Sequence, residues 1–391
     1  MSEALEKHEQ EQIIKAKQQK YKPRYNGKIK KRKWEANDNA DASAEKTART
    51  EPTERIKKKK CLILLGYSGV NYFGMQRNPG MKTIEEDLFK AMLEAKWIND
   101  EGFNQAQMIN FQRAARTDKG VSASRQCCSL KLPSEVELEA LNKNLPEQIR
   151  VFCVKRVTKG FNCKDQCNAR TYTYTLPTIA LSDHTCENDM KSYRVPQEKI
   201  KQMNDILKKF EGTKNFHNFT SRKGFMDPSS KRYIISFECS EPFLSPDDVE
   251  FTVIKIKGQS FMMHQIRKMI GLAIAVLRGH TEENTIDKAF SEERLDIPMS
   301  PGLGLVLDQV HYDRYNERYG EDGIHEPLTW EKVEPDIKNF ADKYIYSTIY
   351  KTELEENSMI NWLKTLHLHT YDIREEDESP PVEQDNVKTQ N

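Results

Sequence analysis

Strand and helix patterns recur twice along this chain in the order βαββαβ. They predict an α+β protein of two ferredoxin-like halves, with antiparallel sheets around a central cleft and a helical C-terminal extension. Three observations carry the prediction. Residues 149–157, 231–239 and 249–257 alternate apolar and polar with period two, as strands with one buried face do. Segments with apolar faces at helical spacing separate the strands. At 391 residues, the chain is long enough for two domains.

The first half begins at CLILLGY (61–67), a short apolar strand. Thr83 and Glu86 have the spacing of a capping box before a helix carrying Ile84, Leu88 and Met92 on one face. A strand near 107–113, a turn at RTDKG and a strand at 126–132 follow. Ser134 and Glu137 are placed to cap a helix over 134–144, and 149–157 closes the unit. In the second half, 170–176 is a strand and 177–195 is irregular. Pro196 opens a helix reaching about residue 210. The segments 231–239 and 249–257 form a hairpin, a long helix covers 261–277, a short one lies near 285–291, and 304–312 is the last strand. The expected divisions are a disordered basic tail (1–60), two domains (61–160 and 161–320), a helical extension (321–370) and an acidic disordered tail (371–391). In the extension, Trp362, Leu363 and Leu366 share an apolar face.

Charge narrows the function through its distribution. The net charge is +1, but residues 1–60 carry +8 and residues 371–391 carry −5, leaving −2 for the 310 residues between. A polyanion site must therefore come from local clustering. The basic clusters 28–33 (KIKKRK) and 55–60 (RIKKKK) read as solvated tail or as a nuclear-import or RNA-backbone patch. The longest apolar run, 269–277, is too short to span a bilayer, which needs about 20 residues. The charged N-terminus has no apolar signal segment. The eight cysteines include no CxxC pair, so reduced thiols are expected, and Cys163 with Cys167 is a weak metal candidate. With no P-loop, dinucleotide fingerprint or zinc framework in the sequence, a reaction without cofactor is expected.

The chemistry-bearing residues lie in three places. In QRAARTDKGVSA (112–123), Asp118 sits between Arg116 and Lys119 on a turn ending in Gly120, a nucleophile-capable carboxylate on a basic loop. TDKG is also an ordinary turn sequence. Arg267 falls on the apolar face of the long helix, between Met263 and Ile270, where a guanidinium demands a partner; Asp118 would be one. Lys268, one residue on, can remain solvated. In the strand TYTYT, Tyr174 reads as core, whereas Tyr172, two residues after Arg170, is placed to face the cleft. His264 is a hydrogen-bonding residue more readily than a base.

The segment RKGFMDPSSKRYIISFEC (222–239) and the helical C-terminus resemble the eukaryotic multi-site branch of the TruA-type tRNA pseudouridine synthases, and the family as a whole is resembled by six blocks in order. They are GYSGVNYFGMQRN (66–78), QRAARTDKGVSA, FNCKDQCNARTYTY (161–174), KNFHNFT (214–220), IKGQSFMMHQIRKMIG (256–271) and SPGLGLVL (300–307). The resemblance implies that Asp118 is the catalytic aspartate and that Arg116 helps to extrude the target base. It further implies that Tyr172 stacks on the uracil, Arg267 pairs with the aspartate and Leu305 lines the uracil pocket. Lys119, Arg170 and His264 are expected to contact substrate. The implied activity is isomerisation of uridine to pseudouridine in tRNA, with messenger and small nuclear RNA as further candidate partners. No membrane partner is expected, and monomer and homodimer both stay open. The expected location is the nucleus, with mitochondrion or cytoplasm as further candidates. Two other classes fit less well. Tandem RNA-recognition domains would carry an RNP1 motif, which is absent. A metal-dependent nuclease would cluster several acids, where the loop offers one.

Overall fold

A computed structural model describes residues 57–183, 190–221 and 223–374. The tail cluster at 28–33 and the acidic tail beyond 374 lie outside the described residues. The fold is α+β and is built on one large, mostly antiparallel sheet.

In the first half, β1 (Lys58–Tyr67) pairs antiparallel with β3 (Ser122–Pro133) and β4 (Ile149–Arg156), and the two-residue β2 (Gln112–Arg113) pairs with β3. Because β1 is covered on both faces, its residues are apolar in succession instead of alternating. The strand starts three residues earlier than expected and takes in the end of the basic cluster. Lys60 is buried there and donates to Asn110 O at 2.8 Å, so this lysine is not part of a solvated tail. Helix α1 (Ile84–Glu94) buries Ile84, Leu88 and Met92 as expected. Thr83 Oγ1 accepts from Glu86 N, but the Glu86 carboxylate pairs with Arg77 Nε at 2.6 Å. Helix α2 spans Asp100–Asn104, and the strand expected over 107–113 shortens to β2 after a turn in which Asn110 takes φ 49°. Helix α3 is Leu138–Lys143. Neither Ser134 nor Glu137 caps it with a side chain, and the Ser134 hydroxyl donates to Lys57 O instead.

The second half contains β5 (Ala169–Pro177), α4 (Gln197–Lys208), β6 (Gly212–Asn215), β7 (Lys231–Cys239), β8 (Phe243–Leu244), β9 (Glu250–Gly258), α5 (Gln265–Leu277), α6 (Asn284–Lys288) and β10 (Leu305–His311). The strands run in the order β4-β1-β3-β10-β5-β9-β7-β6, a single sheet where two had been expected. The join is β10, which pairs antiparallel with β5 and parallel with β3 through Val306↔Ser122 and Leu307↔Ala123. The residue-160 division falls between β4 and β5.

Helix α5 begins at Gln265, later than expected, because His264 takes a left-handed φ of 64° and acts as its N-cap. Met263 therefore lies outside the helix and is exposed. Along α5, Met269, Ile270 and residues 272–275 are fully buried. At Gly271 a Cβ would stand 2.4 Å from Pro298 O, so glycine lets the 298–302 segment lie against the helix. Beyond α7 (Asp313–Tyr319), α8 (Glu334–Phe340), a π-helical stretch (Ala341–Tyr346), α9 (Ser347–Glu356) and α10 (Ser358–Leu363) form the extension. Phe340 packs edge-on against Phe152 of β4, and Tyr350 packs on Phe251 of β9. Leu366 is fully buried, with Trp362 and Leu363 partly so. Among the described residues no helix is long and apolar enough to cross a membrane.

Candidate active site

The middle of the sheet opens into a cavity of about 620 Å³. Its lining comes from the turn before β3, from β5, from the N-terminus of α5 and from the start of β10. Asp118, Arg116, Tyr172, Arg170, His264, Arg267 and Leu305 all line it. Lys119 does not, standing instead over the exposed Phe73 ring at 4.8 Å.

The turn that carries Asp118 is held from below. Val121 N donates to Asp118 O at 3.1 Å, and Gly120 at the third position has φ 77°, which suits glycine. The buried Gln126 on β3 takes the place of a neighbouring strand for the preceding residues. Its Oε1 accepts from Ala115 N, and its Nε2 donates to Ala115 O at 2.9 Å. Tyr67 Oη bonds Thr117 Oγ1 at 2.8 Å in the core. Two further backbone bonds, Gly120 N to Tyr72 O and Met75 N to Thr117 O, tie the turn to the loop after β1. Asp118 is thus presented from a rigid base with its carboxylate partly open. Arg116 and Lys119 on either side are exposed.

Opposite stands the start of α5. His264 Nε2 lies 3.8 Å from Asp118 Oδ2, near enough for electrostatic attraction but too far for a hydrogen bond. His264 is thus no helical residue; it is a capping residue poised over the carboxylate. Arg267 is half-buried, as expected, but among the described residues it forms no ion pair with Asp118. Its Nε donates to Ser300 O at 2.7 Å, while Ser300 N and Oγ donate back to Arg267 O. Burial pushes the Arg267 pKa below its ordinary value, opposed by the nearby Tyr174 hydroxyl and Asp118 carboxylate. The two residues share the cavity and its field without touching. Lys268 departs from expectation. It is largely withdrawn from water and donates to Asn218 O at 3.1 Å; burial, with Arg374 and Arg294 nearby, lowers its pKa to about 8.

Tyr172 is buried, packs edge-on against Phe261 with centroids 5.3 Å apart, and presents a fixed aromatic wall. Burial pushes its hydroxyl up to about 12, so it is protonated at neutral pH and can donate but not act as a resting base. Tyr174 is core as expected, its hydroxyl donating to Pro301 O at 2.8 Å. Arg170 uses its guanidinium as a brace: Nε and Nη2 donate to Ala114 O and Nη1 to Gln259 O, fastening the first-half loop to the second half. Sequence reasoning missed Gln126, Ser300 and a further cavity arginine, Arg232. Gln126 and Ser300 act through pairing with residues distant in sequence and Arg232 reaches the cavity only through the fold, which no local spacing signals.

Cys163 and Cys167 each donate their thiol to a carbonyl, of Gln112 and Ala169, and burial raises both pKa values, that of Cys163 to about 12. Among the described residues no group of three His, Cys, Asp or Glu side chains could hold a metal ion.

Comparison with known proteins accords with the geometry. The profile of a family described as tRNA pseudouridine synthase matches residues 206–313. The chain is similar to the "Pseudouridylate synthase 1 homolog" of Mus musculus, with 46% identity over 343 residues, covering 86% of this chain and 81% of that one. The Homo sapiens protein of the same name is 47% identical over 315 residues, covering 79% and 73%. The "tRNA pseudouridine synthase 1" of Kluyveromyces lactis is 35% identical over 382 residues, covering 78% and 69%.

Proposed function

This chain belongs to the tRNA pseudouridine synthase family and is an isomerase of RNA uridine; from that premise we propose how its residues divide the work. The observation that carries the proposal is the meeting of Asp118, Tyr172, Arg267 and Leu305, from four separate elements, in one cavity. Its volume suits a single extracted nucleotide.

A target uridine in tRNA leaves its stack with help from the exposed Arg116 and enters between Tyr172 and Leu305. Asp118 promotes cleavage of the N1–C1′ bond, by attack on C1′ or by removing a sugar proton. The freed uracil turns and bonds to C1′ through C5, the C5 proton leaves and N1 regains one, so no cofactor is consumed. Arg267, fixed by Ser300, supplies positive potential across from Asp118. His264 contacts the substrate beside the carboxylate. Lys119 and the basic cavity rim engage phosphates, while Arg170 keeps the walls in register.

The strand orders β4-β1-β3-β2 and β10-β5-β9-β7 repeat the same 4-1-3-2 arrangement, which supports reading the core as two ferredoxin-like halves divided near residue 160. Messenger and small nuclear RNA as further substrates, and residence in the nucleus with mitochondrial and cytoplasmic pools, are part of the same proposal. A fluorescent fusion with and without residues 28–33 tests the location. The activity is tested by tritium release from tRNA labelled at uridine C5: wild-type protein releases it, and failure to release it from any tRNA overturns the assignment.

A further inference from the structure

Arg232, on β7, lines the same cavity as Asp118 yet has almost no protein partner. Its Nη1 donates to Ser260 Oγ at 3.2 Å, which is its one contact among the hydrogen bonds and ion pairs of the described residues. Its Nε is buried without an acceptor. The acid whose charge reaches it, Asp227, is already bonded to Lys223 and Ser229. The neighbouring Arg170 adds repulsion and has its own donors committed to carbonyls. A guanidinium held partly out of water beside a second one, with all but one of its donors unspent, is a site for a missing anion. That anion cannot be a protein carboxylate among the described residues.

We propose that Arg232 and Ser260 form a subsite for one phosphodiester of the substrate RNA, next to the extracted uridine. The inference rests on the pseudouridine-forming reading above. A nucleotide whose sugar reaches Asp118 carries its phosphate charge into the same cavity. Placing that charge against Arg232 keeps it away from the Asp118 carboxylate and fixes the sugar in reach of it. The forked donors grip two oxygens of the phosphate, and Ser260 holds the guanidinium in plane.

The test uses tRNA with a single uncharged methylphosphonate linkage placed 5′ or 3′ to a modified uridine. Single-turnover rate is measured with the full-length protein, and affinity with its Asp118→Asn variant. With Arg232 intact, one of the two linkages should lower the wild-type rate and the affinity of the Asp118→Asn variant each about tenfold, the scale of one charge-assisted hydrogen bond. Arg232→Met should show the same loss on ordinary tRNA and no further loss on that methylphosphonate, while its melting temperature stays near wild type. Should Arg232→Met unfold, Arg232→Lys, which keeps charge but loses the fork, should fall between the two. The subsite is overturned if the two penalties multiply, or if neither linkage matters to wild type. Because affinity is read without turnover, an enzyme that formed no pseudouridine would sink the functional reading while the coupling still judged the subsite.

Discussion

Arg267 and Ser300 hold each other by three hydrogen bonds, Arg267 Nε to Ser300 O and Ser300 N and Oγ to Arg267 O. The pair locks the guanidinium of α5 to the segment leading into β10. Arg267→Met should lower kcat on the order of 10²-fold, the loss that follows from misplaced active-site charge. Ser300→Ala removes one bond of the three and should cost about threefold to tenfold in kcat, with KM for tRNA unchanged. Steady-state kinetics on one tRNA check both; a wild-type kcat in Arg267→Met would remove the residue from the mechanism.

Asp118→Asn keeps the size of the side chain and removes its charge. Pseudouridine formation should drop below detection while tRNA affinity stays within about threefold, since the positive groups that meet phosphate are untouched. Mapping pseudouridines in the incubated RNA reads the first effect, and filter binding reads the second. Normal activity would show that the carboxylate is only a turn residue.

Gln126 holds the chain that leads into the Asp118 turn. Replacing it by leucine strips Ala115 N and Ala115 O of their partners in a buried place, at a cost of about 2–3 kcal/mol. Denaturant unfolding should show that loss, and activity should fall even at temperatures where the variant is folded. Unchanged stability would mean the loop is held by its other bonds.

Glu353, in α9, is buried and accepts from Met359 N, and burial raises its pKa to about 7, with Glu356 adding to the shift. The folded protein thus binds this proton more tightly than the unfolded chain, whose group titrates near 4.5. The stabilisation it confers is complete below that lower value and is lost as pH rises to about 7. Glu353→Gln keeps an acceptor without the charge, so it should match wild type near pH 4 and exceed it by roughly 3 kcal/mol above pH 8. Melting curves across pH check this; a constant difference would assign the effect to packing.

Much of the molecule was legible before folding because local pattern and burial agreed. The alternation in β7 and β9, the apolar face of α1 and the apolar run of α5 each say where the core is. The Asp118 turn was legible because a carboxylate between two cations is conspicuous in sequence. The sheet's continuity was not, since the β3–β10 join is two residue pairs between segments some 180 positions apart. Arg267's partner was misjudged for a related reason. A guanidinium on an apolar face needs acceptors, but the backbone carbonyl of Ser300 serves, and no spacing rule distinguishes it from a carboxylate. Lys268 was misplaced because helical periodicity does not foresee a loop, here the one around Asn218, folding over the exposed side.

The parallel seam also orders events during synthesis. The strand bearing Ser122 and Ala123 leaves the ribosome long before the one bearing Val306 and Leu307. Until the later strand arrives, the carboxylate turn has no floor beside it and Leu305 supplies no wall. A nascent or truncated product ending before that point lacks part of the cavity wall and is expected to form no pseudouridine.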